Sequence, residues 1–265
     1  MPDTQLRDRQ QQTWATGDFS MVGGANILVS ELLCESIPLH AGQHVLDVAT
    51  GSGNTAMAAA RRGCKVTGID FVPALLERGR ERAHAERLKI DFQEGDADAI
   101  PFPDESFDVV LSTFGSMFAP DPFRAAVEMV RVCKKGGKIG MTNWIPEGMI
   151  GEMFRINASY VPPPPGIPAP GEWGIQEKVI QRFGGAVRDL RFIPRQLIFR
   201  HYSPEAWVEF MKTYFGPTIR AHQALGSRAP ELTAALVEMA RRHNQSGDST
   251  WMAAGDYVEV IATKA

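Results

Sequence analysis

Apolar positions along this chain fall into short blocks that alternate between two rhythms. His44-Val45-Leu46-Asp47-Val48-Ala49 is a compact apolar run stopped by Thr50-Gly51-Ser52-Gly53, the form of a buried strand ending in a turn. Lys65–Asp70, Ile90–Glu94, Phe107–Ser112 and Lys138–Asn143 repeat that form. Between and before them the spacing becomes helical. Ile27, Leu28, Leu32 and Leu33 recur within Asn26–Ile37, Asn54–Arg62 is Ala-rich, and Pro73 opens a stretch running to about Leu88. A helix from about Pro122 to Cys133 is closed by Lys134-Lys135-Gly136-Gly137, residues that a helix C-terminus favours. Strands alternating with helices through short loops predict a mainly parallel sheet covered on both faces.

The second half is less regular. The first dozen residues read as a frayed tail, and Pro146–Gly171 is Pro-rich, with Pro162-Pro163-Pro164-Pro165 necessarily extended. A helix at about Gln176–Phe183 and a strand within Val187–His201 follow. Pro204–Tyr214 and Leu232–His243 read as helices outside the alternation, and Tyr257–Thr263 as a closing strand.

Composition narrows the function classes. The 265 residues are 44% hydrophobic and 22% charged, ordinary for a chain with a full core. A net charge of -3 offers no general attraction to phosphate backbones or anionic lipid, so nucleic acid is a poor first substrate. Cys34, Cys64 and Cys133 are far apart and form no C-x-x-C pair, which argues against a zinc site or a disulfide scaffold. Met1–Gln12 is polar, unlike a secretory signal, and no apolar run approaches the roughly 20 residues of a membrane span. A cytoplasmic setting is the expectation.

The chemistry concentrates at one turn and three acids. In an open parallel sheet, ligands bind at the carboxyl ends of the strands, where connections diverge. Glycines in Asp47-Val48-Ala49-Thr50-Gly51-Ser52-Gly53 let backbone approach a ligand, and the following helix presents free N–H groups. The Gly-x-Gly pattern alone also fits a plain strand-to-helix turn. Asp70 ends the second strand, where an acid can accept from ribose hydroxyls, and Asp96 follows the third. A lone Asp after a strand is usually a turn former or cap. Three acids ending three successive strands, Asp47, Asp70 and Asp96, together suit an adenosine bearing a cationic group.

Val45–Gly53 resembles the first motif of class I S-adenosylmethionine (SAM)-dependent methyltransferases, and Val66-Thr67-Gly68-Ile69-Asp70-Phe71 their second. Gly95–Val110 is similar to their third region and fourth strand, and Arg131–Gly137 to the turn before their fifth strand. The run spans about Trp14 to Asn143 and is similar to the ubiquinone/menaquinone-biosynthesis-type, small-molecule branch. The resemblance implies a Rossmann-like, doubly wound, mostly parallel seven-stranded α/β sheet with a C-terminal antiparallel strand and a helical lid insertion. It divides the chain into a segment covering the cofactor (1–25), a SAM-binding core (26–145) and a part completing the sheet (146–265). In that last part, about 203–250 form the lid between the final two strands.

The same resemblance implies residue roles. Gly51 and Gly53 would pass close to the methionine part of SAM, with Ala49 and Thr50 in the same loop and Asp47 supporting it or the amino group. Asp70 would hold the ribose hydroxyls, and Phe71 or Val72 would pack on adenine. Asp96 would accept from the adenine amino group, with the Ala97 backbone beside the ring, and Ser112 would lie near the methionine moiety. Ala49 stands where many members have glycine. S-adenosylhomocysteine (SAH) would be the product.

The implied reaction is transfer of the methyl group by in-line displacement to a small-molecule acceptor. The sulfonium is already activated, so the protein mainly aligns the reactants and excludes water. No catalytic residue is singled out and no metal is expected. Trp14, Asp18, Phe19, Phe114, Met117, Phe118 and a lid over Pro204–Gln245 are candidates for the acceptor side, although such aromatics are more often core. Tyr160, His201, Tyr202 and His222 have the chemistry of bases, and none is assigned that role. The irregular second half leaves room for a homodimer contact. Two rivals stay open. Gly51-Ser52-Gly53-Asn54-Thr55-Ala56 also fits the permissive nicotinamide-dinucleotide pattern, giving an NAD(P)-dependent oxidoreductase. The other is a non-catalytic SAM-binding protein.

Overall fold

The computed structural model of the chain describes residues 4–164 and 166–265. The expectations for Met1–Asp3 and Pro165 lie outside the described residues. The strands are β1 (His44–Val48), β2 (Lys65–Asp70), β3 (Ile90–Glu94), β4 (Phe107–Thr113), β5 (Cys133–Trp144), β6 (Val187–His201) and β7 (Trp251–Lys264). They form one sheet in the order β3-β2-β1-β4-β5-β7-β6, parallel through β5 and antiparallel at β7 and β6.

The helices are α1 (Thr4–Thr16), α2 (Phe19–Gly24), α3 (Ile27–Ser36), α4 (Asn54–Arg61), α5 (Pro73–Ala85), α6 (Pro122–Val132), α7 (Met149–Tyr160), α8 (Gln176–Phe183), α9 (Pro204–Tyr214), α10 (Gly216–Leu225) and α11 (Ala229–Arg242). Two apolar cores result, one on each face. Leu33, Ile37, Val45, Ala56, Val66 and Phe92 pack on one side, and Leu46, Val48, Ile69, Met129, Ile139 and Met141 on the other. The strands therefore alternate between two buried faces, which is why their sequences read as unbroken apolar runs. A Cβ on Gly140 would stand 2.1 Å from the Ile37 side chain, so glycine lets α3 lie directly on β5.

Local chemistry accounts for the element ends. Asp121 caps α6 by accepting from the Arg124 N–H at 3.0 Å, with Pro122 in the first turn. α5 stops at Ala85, short of Leu88, because Arg87 turns left-handed (φ 57°) and the Leu88 N–H returns to the Ala83 carbonyl. Lys134–Gly137 do not end a helix as expected. They open β5 across a register shift opposite Phe107 and Val109, and Lys134 Nζ pairs with Asp108 at 2.6 Å. Pro194 is tolerated inside β6 because β6 is the edge strand.

Three further expectations are corrected. Residues 4–12 of the expected frayed tail belong to α1, anchored by Gln11 Nε2 donating to the Phe71 carbonyl and by contacts with α10. Residues 149–160 of the Pro-rich stretch form α7, whose buried face is Met149, Ile150, Gly151 and Met153. α10, opened by Pro217, lies between the two helices expected in the second half.

The geometry that positions a site lies at the carboxyl rim. From β1 the chain moves outward through β2 and β3, then returns to β4 on β1's other side, opening a crevice where the connections part. Beside it, β7 pairs with β5 from Tyr257 to Thr263, whereas Trp251–Asp256 pair only with β6. This two-stranded extension projects past the end of β5 by roughly 20 Å at about 3.4 Å per residue. α9–α11 cover it. No helix is long and apolar enough to cross a membrane among the described residues.

Candidate functional site

The turn after β1 is held from three directions. The Asp47 carboxylate, buried at the strand's end, accepts from Thr50 Oγ1 (2.5 Å) and the Ala56 N–H (2.9 Å), tying the loop to α4. Asp70, from the end of β2, accepts from the Gly51 N–H (2.9 Å) and the Val72 N–H (3.0 Å). Behind the loop, Arg82 of α5 donates to the Ser52 carbonyl (2.7 Å) and to Asn54 Oδ1 (2.7 Å), and Asn54 donates on to the Gly23 carbonyl (2.8 Å). Burial lifts the Asp47 carboxyl to about 7 and the Asp70 carboxyl to about 6.

Backbone conformation explains the small residues. Gly51 is left-handed (φ 55°), and a Cβ there would meet nothing within 4 Å, so the space above it is open. Ala49 is left-handed as well (φ 53°), a conformation that costs a non-glycine residue roughly 1–2 kcal/mol. Its methyl fits because Gly115 has none: a Cβ on Gly115 would lie 2.6 Å from Ala49 Cβ. Gly53 serves packing instead, since a Cβ there would meet the Phe92 ring at 2.8 Å.

These elements enclose a cavity of about 510 Å³, inside the roughly 300–1,000 Å³ range of small-molecule sites. Asp47, Ala49, Thr50, Gly51, Asp70, Phe71, Asp96 and Ala97 all line it. Gly53, Val72 and Ser112 do not. Val72 is buried at the start of α5. Ser112 Oγ donates to the Val48 carbonyl (2.8 Å) and accepts from the Ser116 N–H (3.0 Å), bracing β1 against the turn after β4. Strand alternation puts Thr113 on the wall in its place, hydrogen-bonded to Thr55 at 2.8 Å.

The walls are acidic. Among the described residues, Asp47, Asp70, Asp96, Asp98 and Asp121 face only two cations, Arg7 and Arg124. Arg7 of α1 pairs with Asp96 at 3.0 Å. Asp98, which the sequence reading did not single out, is 4% exposed and lifted to about 7 by burial. Its Oδ2 accepts from the Asp121 N–H at 3.2 Å, and its Oδ1 has no partner. The signal was present as the second acid of Gly95-Asp96-Ala97-Asp98, but spacing alone cannot show which acid turns inward. Arg7 was hidden for another reason: nothing local marks α1 as a wall of this cavity.

A second cavity of about 260 Å³ shares Phe19, Asn26, Phe114 and Phe118 with the first. Of the acceptor-side candidates, Trp14, Phe19, Phe114 and Phe118 line one or both cavities, whereas Asp18 caps α2 and Met117 is buried away from both. Among the four side chains with the chemistry of bases, Tyr202 is 87% exposed and Tyr160 donates to the Glu231 carbonyl. His222 is bonded to Thr218 and Thr233, and only His201 reaches a cavity. No group of three metal-ligating side chains occurs among the described residues.

A doubly wound sheet with acids ending its first three strands around a glycine-turned crevice is the architecture in which α/β folds hold nucleotides. Comparison with known proteins sharpens this. The family model described as a methyltransferase domain matches residues 46–141. An uncharacterized protein of Mycobacterium tuberculosis (strain H37Rv) is 36% identical over 248 residues, covering 91% of this chain and 90% of that protein. A demethylmenaquinone methyltransferase of Deinococcus radiodurans is 39% identical over 128 residues, 47% of this chain and 53% of that protein. Among solved structures, the YcgJ protein of Bacillus subtilis superposes with a TM-score of 0.62 at 18% identity, covering 89% of this chain and 97% of that one. Residues 46–141 belong to the methyltransferase-domain family, of the class I SAM-dependent kind, and along nearly its whole length the chain shares a family with the mycobacterial protein.

Proposed function

We propose that this protein transfers a methyl group from SAM to a small-molecule acceptor by in-line displacement. The observation that carries the reading is the acidic cavity over Gly51, with the buried Asp98 Oδ1 left without a partner beside Asp96. An unpaired buried acceptor calls for a donor, and the adenine amino group is one. The excess of carboxylates suits a ligand carrying a sulfonium and an ammonium, and the open space over Gly51 accepts a ligand where any side chain would intrude.

When bound, SAM supplies a methyl carbon already activated by its positive sulfur. The chain's own residues bind and orient. Asp70 keeps free lone pairs for ribose hydroxyls while its other pairs hold Gly51 and Val72. Phe71 packs on the adenine, Asp96 and Asp98 accept from its amino group, and the Ala97 backbone lies beside the ring. Asp47 acts through the loop, as do Gly53 and Ser112 from one layer behind. Residues 26–145 form the SAM-binding core, the described part of the leading segment, 4–25, covers it, and the remainder completes the sheet with 203–250 as a lid.

Calorimetric titration with SAM, SAH and NAD tests the cofactor assignment. The expected result is binding of SAM and SAH, with none of NAD. Incubation with methyl-labelled SAM and a metabolite extract tests catalysis. Binding of SAM with no labelled product across varied acceptors would overturn the enzymatic reading.

A further inference from the structure

α1 and α9 serve different cavities yet are fastened to each other. Leu6, Arg7, Gln10 and Trp14, on one face of α1, line the first cavity. Trp207, Phe210 and Met211 of α9 line the second, and among the described residues nothing from α9 or α10 reaches the first. α2 stands between them and gives Phe19 to both.

The fastening is backbone against backbone. Gly17 follows α1 and Gly216 opens α10, and neither has a positive φ, so neither is glycine for conformational reasons. A Cβ on Gly216 would stand 2.1 Å from the Thr13 carbonyl oxygen, and one on Gly17 2.4 Å from the Tyr214 carbonyl oxygen. Approach that close admits only hydrogen, and a carbonyl cannot swing aside as a side chain can. The Asp18 N–H donates to the same Tyr214 carbonyl at 2.9 Å and closes the seam. Beside it, Trp14 packs on Phe19 (centroids 5.0 Å apart) and Phe118 (4.6 Å), and Phe215 meets Trp14 (6.1 Å) and Phe19 (5.8 Å).

The rest of α1 and α2 is held at the first cavity. Arg7 pairs with Asp96, Gln11 donates to the Phe71 carbonyl, and Asn54 of the glycine turn donates to the Gly23 carbonyl of α2. At about 1.5 Å per residue, the 13 residues of α1 span roughly 20 Å. A helix of that length moves as a rod, so whatever steadies its cavity face also steadies the seam at its far end.

We propose that α1–α2 and α9–α10 open and close as one lid, joined at Gly17 and Gly216, so that a ligand in the first cavity fixes the α9 wall of the second, which it does not touch. That this ligand is SAM or SAH rests on the reading above. Coupling of two sites needs one element whose equilibrium both bias, and the joined lid is that element. In consequence, the second cavity takes its final shape only while the first is filled.

Hydrogen exchange on the full chain, read by mass spectrometry, tests the joint in two arms. In the ligand-free protein, amides of residues 4–24 and 204–225 should share one opening, with the same exchange free energy and the same denaturant dependence. Saturating SAH should then slow exchange across 204–225 by roughly tenfold, inside the roughly 5–150-fold span usual for coupled sites. α8 lines neither cavity and should not change, whereas stabilisation of the whole fold by ligand would slow it equally. Gly216→Ala, whose methyl meets the Thr13 carbonyl, should split the shared opening and abolish the SAH effect on 204–225 while residues 50–56 stay protected. Gly17→Ala breaks the seam from its other side and serves if Gly216→Ala does not fold. Separate openings in the unaltered chain, no slowing of 204–225 with SAH bound, equal slowing of α8, or an SAH effect that survives the glycine variants overturns the joint. If calorimetry finds no SAH binding, the methyltransferase reading fails, and the ligand-free arm still decides whether the lid is one unit.

Discussion

The two cavities share a wall yet are built by opposite means. The first is ringed by carboxylates set at the ends of parallel strands, each fixed by backbone N–H groups or a neighbouring side chain. The second is lined largely by rings and thioethers carried on α2, α7, α9 and the projecting end of β6. The difference teaches where precision comes from in this molecule. Charge is placed by the sheet, whose hydrogen-bonded ladder leaves each strand end one position. Shape is placed by packed helices, which tolerate exchange of one apolar side chain for another.

The sharpest way to break this contrast is Gly51→Val. A β-branched residue at positive φ is strained, and its side chain would enter the open space over the loop. SAH affinity should fall at least about 100-fold, roughly 2.7 kcal/mol, by calorimetry. Unchanged affinity would remove the loop from the ligand's bed. Asp70→Asn comes next. It removes a charged acceptor worth about 1.5–3 kcal/mol, so SAM should bind about 10–100-fold more weakly by calorimetry.

pH sharpens the comparison further. Asp70, Asp47 and Asp98 hold their protons to about 6, 7 and 7 in the free protein, and a cationic ligand needs them ionised. SAM affinity should therefore drop as pH falls from 8 to 5.5, by up to about tenfold per unit for each proton taken up. Stability runs the other way. A carboxyl whose folded pKa is raised contributes most below its unfolded pKa, and that contribution is lost as pH rises through the folded value. Asp98→Asn should accordingly raise the melting temperature of the ligand-free protein more at pH 8 than at pH 5, by scanning calorimetry. An equal shift at both values would mean that Asp98 is not buried as a titrating acid.

The smallest effect is expected at Ala49. Relief of its left-handed strain, about 1–2 kcal/mol, is offset by the chain entropy of a glycine, about 0.5–1 kcal/mol. Ala49→Gly should thus change stability in urea by no more than about 1 kcal/mol and leave SAH affinity unaltered. Gly115→Ala, against the same methyl, should be the costlier partner change.

The parallel half was legible in the chain because its signals are local. Apolar runs such as Val45-Leu46 and Val109-Val110-Leu111, broken by glycine, Asp and Pro, fix strands and helix starts without reference to anything distant. Asp47, Asp70 and Asp96 could be gathered because strand ends in a parallel sheet share one rim. The second half resisted because its helices answer to partners far away in sequence. α1 is polar along its length and is held by Phe71 and α10, so no periodicity announced it. α7 was masked by the prolines on both sides of it.

What the amino-acid sequence determined by itself was therefore the order of elements, the glycine turn and the acids at its edge, all set by backbone sterics and hydrophobic period. Tertiary structure alone decided which side chains became walls: Asp98 rather than Ser112, Thr113 by its side of β4, Arg7 from the opposite end of the chain. It alone also brought Asn26, Phe114 and His201, from three separate elements, around one apolar space. The physical reason is that a strand's register and a helix's rotation are fixed by the summed packing of both cores, and no single stretch of residues carries that sum.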